Sequence, residues 1–344
     1  MKKRWITGCL LLSLLAGVLP GCGREENTAS SETETAETTE IQEENQEESQ
    51  PESQDVTVRV GALKGPTSMG LVFLMDQQEE SYEFTMVTAA DELLTQMVQG
   101  ELDVALIPAN TAAVLYQKTE GEIAAVDINT LGVLYVVTGD ETIDSMEKLA
   151  GKTVYLTGKG TTPDYALQYL LNAYGVNDVT LEYKSEAAEV AAVLQNDPQA
   201  IGVLPQPFAT VACAQNENLK ITMDLTQVWD EKQDEGESRL VTGVTVMTRD
   251  FLEEYPDQAE QFIKDHEESA AQINEDPDTG AALVAEAGIV EKEAIAKQAI
   301  PYCNITCITG EEMKTALEGY LETLYELNPE STGGAMPGED FYFE

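Results

Sequence analysis

The sequence is short of what catalysis usually needs. Its 344 residues include a single histidine, His266, and five scattered cysteines with no CxxC or HxxxH spacing. That removes the usual zinc sites, Ser-His-Asp triads and Cys-His dyads. Positive charge is scarce too: 19 Lys and Arg stand against 63 Asp and Glu, a formal net charge of −44. Nucleic-acid binding needs clustered basic side chains against phosphate, so a nucleic-acid partner is excluded. Aromatic residues are only 6% of the chain, which leaves little for stacking a flat ligand. What is present is a globular composition, 42% hydrophobic and 24% charged, enough for one large domain or two lobes.

The N-terminal residues read as an address. Lys2, Lys3 and Arg4 precede an apolar run from Ile6 to Val18 that is too short to span a bilayer. The run ends in Leu19-Pro20-Gly21-Cys22, which resembles a lipoprotein signal sequence, with Pro20 a less usual occupant of its position. The resemblance implies a signal peptide over 1–21, lipidation of the Cys22 sulfur, and anchorage at the extracytoplasmic face of a bacterial cell membrane. Residues 22–55 follow as an acidic tether of Glu, Thr, Ser and Gln. With hardly an apolar side chain, this stretch cannot offset its ordering entropy and is expected to be disordered. The remaining body, 56–344, carries 51 acidic and 15 basic residues, which disfavours anionic lipid surfaces.

The body alternates strands and helices. Val56 to Gly61 alternates as a strand and runs into Lys64-Gly65-Pro66-Thr67-Ser68, where Thr67 or Ser68 can cap a helix. Tyr82 to Val87 and Asp103 to Ile107 are further strands, the second ending at Pro108-Ala109-Asn110, where another helix starts. A similar cycle follows. It runs from a strand over Leu131–Thr138, through a short helix at Ile143–Leu149 and a strand at Lys152–Thr157, into the turn Gly158–Pro163 and a helix from Asp164. A last strand of this cycle, Ala200–Leu204, ends in Pro205-Gln206-Pro207. Such spacing predicts βαβ units on parallel sheets, whose ligands sit past the carboxyl ends of the strands. After a strand at Val241–Met247, the chain is helical by period over Pro256–Ile273, Gly280–Ala287, Glu291–Ile300 and Glu311–Leu324.

Several segments carry a resemblance: GELDVALIPAN (100–110), SMEKLAGKTVYLTGKGTTPDYAL (145–167) and AIGVLPQPFATVA (200–212). Together with the lipoprotein signal and the Lys-Gly-Pro-Thr turn, they resemble the solute-binding proteins of ABC importers. The closest branch is the nitrate, sulfonate, taurine and thiamine-precursor group. The resemblance implies an α/β, two-lobed periplasmic-binding-protein type II fold, each lobe a mixed, mostly parallel sheet flanked by helices, with two hinge strands. Lobe 1 would comprise 56–136 and 247–344, and lobe 2 residues 137–246. It further implies a monomer that closes on a small molecule and delivers it to an ABC permease and its ATPase, with no catalysis, cofactor or metal.

Candidate ligand residues follow from the turns that end the strands: Lys64, Gly65, Thr67, Ser68 and Asn110 on one side, with Lys159, Gly160, Thr161, Thr162 and Gln206 on the other. Helix N-termini and the two lysines would suit a small anion such as a sulfonate or carboxylate. Each residue also has an ordinary structural use. Ser and Thr before a helix are caps, and Lys159 beside two glycines reads equally as an exposed turn. Gly158 to Gly160 lacks the third glycine of a dinucleotide fingerprint and the P-loop ending. His266 reads as solvated on a polar helix face, and Trp229 as a loop anchor or a cleft residue. Cys303 and Cys307 are read as buried free thiols, since four residues of extended chain span roughly 13 Å.

Competing functions are an enzyme on the same fold, a thiamine-precursor pyrimidine binder, and a ligand sensor without transport. Thiamine-pyrimidine synthases consume a histidine that His266 is poorly placed to match, and the related menaquinone-pathway enzymes are cytoplasmic, unlike a chain with a signal sequence.

Overall fold

In the first half of the chain, strands and helices alternate from β1 (Val58–Leu63) through the short α1 (Pro66–Met69) and α2 (Val72–Asp76) to β2 (Tyr82–Val87). They continue with α3 (Ala90–Val98), β3 (Val104–Pro108), α4 (Ala109–Lys118) and β4 (Ile123–Leu131). A second series follows: β5 (Leu134–Thr138), β6 (Thr153–Leu156), α5 (Thr162–Ala173), β7 (Thr180–Tyr183), α6 (Ala187–Asn196), β8 (Ile201–Pro205), α7 (Phe208–Gln215), β9 (Lys220–Asp224) and α8 (Leu225–Asp230). The chain then returns as β10 (Val241–Thr248), α9 (Arg249–Glu254), α10 (Pro256–Glu275), α11 (Pro277–Glu286), α12 (Glu293–Ala299), β11 (Ile305–Ile308) and α13 (Gly310–Leu327). This computed structural model describes residues 56–77, 80–233 and 238–343. The expected signal peptide and tether, with Cys22, lie outside the described residues.

The strands form two sheets, in the orders β11-β4-β10-β3-β1-β2 and β7-β6-β8-β5-β9. This is the expected α/β architecture of two mixed sheets flanked by helices. β1 pairs in parallel with β2 and β3, whereas β10 runs antiparallel between β3 and β4. In the other sheet β6 is parallel to β7 and β8, and β5 is antiparallel to β8 and β9. Hence the carboxyl ends of β1, β3 and β4 lie together, as do those of β6 and β8 with the start of β5. Both groups meet where the chain passes from β4 to β5.

That passage corrects the continuous strand expected over Leu131–Thr138. The strand breaks at Gly132 and Val133, and β4 and β5 join different sheets. A Cβ on Gly132 would lie 2.1 Å from Thr226 Oγ1 and 2.7 Å from Leu240 Cδ2, so only glycine lets the segments pass. The backbone here bonds to Asn304 instead of a strand: Leu131 N–H donates to the Asn304 carbonyl, and Asn304 Nδ2 donates to Gly132 O at 2.6 Å. The lobe limits move accordingly. Val137 lies inside β5 of the second sheet, and all of β10 lies in the first, so the crossovers precede residues 137 and 241.

Gln54–Glu344 is one compact unit, with a continuous apolar core running from Ala105 and Ile107 of the first sheet to Val136 and Val154 of the second. Trp229 of α8 is the wedge between them. Fully buried, it packs against Tyr169 of α5 at 4.4 Å and Tyr320 of α13 at 5.7 Å between ring centroids. Burying a large apolar side chain of this kind contributes roughly 1.5–3 kcal/mol. The loop reading of Trp229 is therefore replaced by a core role.

His266 is also corrected: it is fully buried. The reason is periodicity. In α10 the buried positions are Ala259, Phe262, His266, Ser269, Ala270 and Ile273, and His266 occupies the i+4 place after Phe262 on that stripe. Its charged neighbours Asp265 and Glu267 conceal the pattern in sequence.

Candidate functional site

At the carboxyl end of β1, Thr67 and Ser68 are buried while Lys64 is exposed. Ser68 Oγ donates to Gly65 O at 3.0 Å, the local bond of a turn. Lys64 Nζ extends toward Gly288, in the turn after α11. Thr67 reaches inward, and its Cγ2 and Asn129 Oδ1 both close on the α-carbon of Gly243. A Cβ there would lie 2.5 and 2.4 Å from them. Gly243 thus lets the start of β10 fit between the β1 turn and β4.

From the second sheet come the first turns of α5 and α7. Thr161 Oγ1 donates to Gly158 O at 2.6 Å, and Gly160, at φ 75°, donates its N–H to Asp164 Oδ2 at 2.8 Å. Asp164, almost fully buried, also accepts from Gln168 Nε2 and from Tyr183 Oη. Burial, and then the bond to Asp164, raise the Tyr183 phenol above its ordinary pKa. Lys159 stands 5.4 Å from the Tyr183 ring centroid, a cation–π contact. Asp164 thus places a carboxylate in the first turn of α5, at its positive end, and bonds it to the Gly160 N–H of the preceding turn. An anion at this turn would meet that carboxylate.

Two expected residues meet across the sheets. Thr162 Oγ1 donates to Asn110 Oδ1 at 3.3 Å and accepts from Tyr320 Oη, also at 3.3 Å. Gln206 is tied to the crossover as well, its N–H donating to Val133 O at 3.0 Å. Its Oε1 accepts from Thr210 N–H at 3.3 Å and Thr210 Oγ1 at 2.8 Å, holding the first turn of α7. Gln206 Nε2 is buried without a partner among the described residues, and so are Asn129 Oδ1, Thr130 Oγ1, Thr226 Oγ1 and Trp229 Nε1. Buried polar atoms are rarely left unpaired. Of these residues, Gln206 and Thr226 adjoin Gly132 and Val133 in space, and Asn129 and Thr130 precede them in the chain.

The sequence reading omitted Asn129 and Asp127. Both lie in β4, which is buried along its whole length. The signal was present: an apolar run from Ile123 to Val137 interrupted by Asp127, Asn129 and Thr130. Asp127, His266 and Cys307 bring three metal-ligating atoms within 4.8 Å of one another. The Asp127 carboxylate is bonded to its neighbours through both oxygens, accepting from Thr245 Oγ1 at 2.8 Å and contacting His266 Nδ1 at 3.1 Å. The three side chains fit a hydrogen-bonded support for β4 better than a cation site. The aromatic rings are likewise engaged: Tyr135 Oη donates to Tyr302 O, and Tyr165 Oη accepts from Asn328 Nδ2.

A separate concavity of about 740 Å³ lies at the opposite end of the first sheet, lined in part by Arg59, Asp103, Lys118 and Tyr255. It faces the amino ends of β1 and β3, away from the ends where open α/β sheets bind ligands.

The sequence matches the profile of the menaquinone biosynthesis family, VitK2_biosynth, over residues 59–326. The chain belongs to that family. Its fold is shared with solved binding proteins. An ABC transporter structure from Parabacteroides distasonis is 24% identical, with a TM-score of 0.72 over 84% of this chain and 99% of that one. The periplasmic aliphatic sulphonate binding protein SsuA of Escherichia coli is 15% identical, with a TM-score of 0.66 over 84% and 92%. A zinc-bound ligand-binding component of an ABC-type import system from Staphylococcus aureus is 16% identical, with a TM-score of 0.62 over 84% and 96%. At these identities the likeness carries the fold. No curated protein matches the chain.

Proposed function

We propose that the protein is a solute-binding lipoprotein. It is tethered through Cys22 at the outer face of a bacterial cell membrane, captures a small polar molecule between its two sheets, and hands it to an ABC permease and its ATPase. The observation that carries this reading is the chemistry at the crossover. The side chains gathered there, Thr67, Asn110, Asn129, Thr162 and Gln206, are amides and hydroxyls, which bind by hydrogen bonding and do not exchange protons near neutrality. The lipoprotein signal and the fold shared with importer components support it. Among the described residues no helix is long and apolar enough to cross a membrane.

A second reading, an enzyme on this fold, is favoured by the family match alone. The two separate in one experiment. The protein is screened by thermal shift against small amides, sulfonamides, carboxylates and sulfonates, and each bound compound is recovered by chromatography. Saturation at about 100 times Kd adds roughly 2.7 kcal/mol to the folded state. Binding with unchanged recovery is expected. Conversion of the compound would transfer the assignment to the enzyme.

A further inference from the structure

Hydrogen bonds settle which way two buried amides point. Asp127 is fully buried, and its carboxylate can only accept; it lies 2.8 Å from Thr245 Oγ1 and 3.1 Å from His266 Nδ1. Thr245 has one hydroxyl proton and gives it to Asp127, so toward Asn129 it can only accept. Asn129 must then present its NH₂ group, as the 3.3 Å contact from Nδ2 to Thr245 Oγ1 has it. The consequence is that Asn129 Oδ1, buried and unpartnered, faces Thr67 and Gly243 as a fixed acceptor. At Gln206 the polarity is reversed. The Thr210 backbone N–H can only donate, which fixes Oε1 toward the first turn of α7 and leaves Nε2 as an unpaired donor.

We infer that the site selects a neutral ligand bearing both an N–H or O–H donor for Asn129 and an acceptor for Gln206, the pattern of a carboxamide or sulfonamide, and discriminates against acceptor-only anions. Thr245 and Asp127 are positioning residues that set this polarity from behind Asn129. The inference rests on the proposed binding role and deepens it. An acceptor-only ligand would place oxygen against Asn129 Oδ1 and leave the buried carbonyl unpaired. Sites built on such a hydrogen bond strongly reject analogues that lack it.

The test uses matched probes on the intact protein, nicotinamide against nicotinate and methanesulfonamide against methanesulfonate, read by thermal shift and calorimetry. The amide-type member of each pair should bind at least ten-fold more tightly. Thr245→Val keeps the side-chain shape but frees the Asn129 amide to rotate, and should bring the preference within about two-fold. Thr245→Ser should restore it. A purely structural role for Thr245 would move stability and leave the ratio alone. Equal or tighter binding of the anions overturns the inference while the binding role stands. No shift with either class overturns both.

Discussion

Thr162 Oγ1 lies 3.3 Å from Asn110 Oδ1, so the first turn of α5 is bonded to the first turn of α4 across the junction of the two sheets. Thr162 also accepts from the buried Tyr320 hydroxyl. Thr162→Val keeps the shape and removes both bonds, stranding a buried phenol at a cost of about 1–3 kcal/mol. The melting temperature should fall by several degrees, with Thr162→Ser close to wild type. Unchanged melting of the valine variant would mean that the bridge is not made.

Gln206 has two separable duties, one on each end of its amide. Gln206→Leu strands the Thr210 N–H and hydroxyl and should destabilise the protein by about 1–3 kcal/mol. Gln206→Glu keeps an acceptor for Thr210 but loses the Nε2 donor. It buries a carboxylate, so it should melt below the wild type, and it should bind amide probes at least ten-fold more weakly, as calorimetry below both melting temperatures would show.

At the far end of the first sheet, Arg59 grips Asp103 through its backbone N–H and its guanidinium, with N–O distances of 2.9 Å from N and from Nε. The Asp103 hydrogen bond is the main cause of the raised Arg59 pKa. Because Asp103 is the more buried partner, Asp103→Ala should cost about 1–3 kcal/mol in denaturant unfolding. Probe affinity should not change, since this pair lies away from the crossover.

The three described cysteines are free, and Cys303 is completely buried. Burial pushes its thiol up to about 12. At pH 8 Cys303 should resist iodoacetamide until the protein unfolds, as peptide mapping by mass spectrometry would show. Cys213, only partly buried, should label first.

The charge imbalance of the body predicts a salt response. With 51 acidic against 15 basic residues, self-repulsion opposes the compact state. Raising sodium chloride from about 20 mM to 500 mM shortens the screening length severalfold and should raise the melting temperature.

Much of this architecture was legible in the sequence. Alternating strands ending in turns located β1, β2, β3, β6 and β8 and the helices that follow β1, β3 and β6, because these elements carry their own punctuation of Gly, Pro and Thr. β4 was not legible, since its buried polar residues look like breaks until Thr245 and His266 are seen to partner Asp127. His266 was misread because Asp265 and Glu267 flank it, although it keeps step with Phe262 and Ile273. At the site, the turns with Asn110, Thr162 and Gln206 could be named from strand ends. Asn129 and its orientation depend on partners more than a hundred residues away, and the neutralisation of α5 depends on how Asp164 folds back onto Gly160.

The central claim is a ligand held at the crossover between the sheets. Hydrogen exchange, measured by mass spectrometry with and without the probe giving the largest thermal shift, tests it most directly. Protection should rise at 65–70, 108–112, 129–134 and 204–210. Protection confined to the concavity around Arg59, Lys118 and Tyr255, with those segments unchanged, would contradict it.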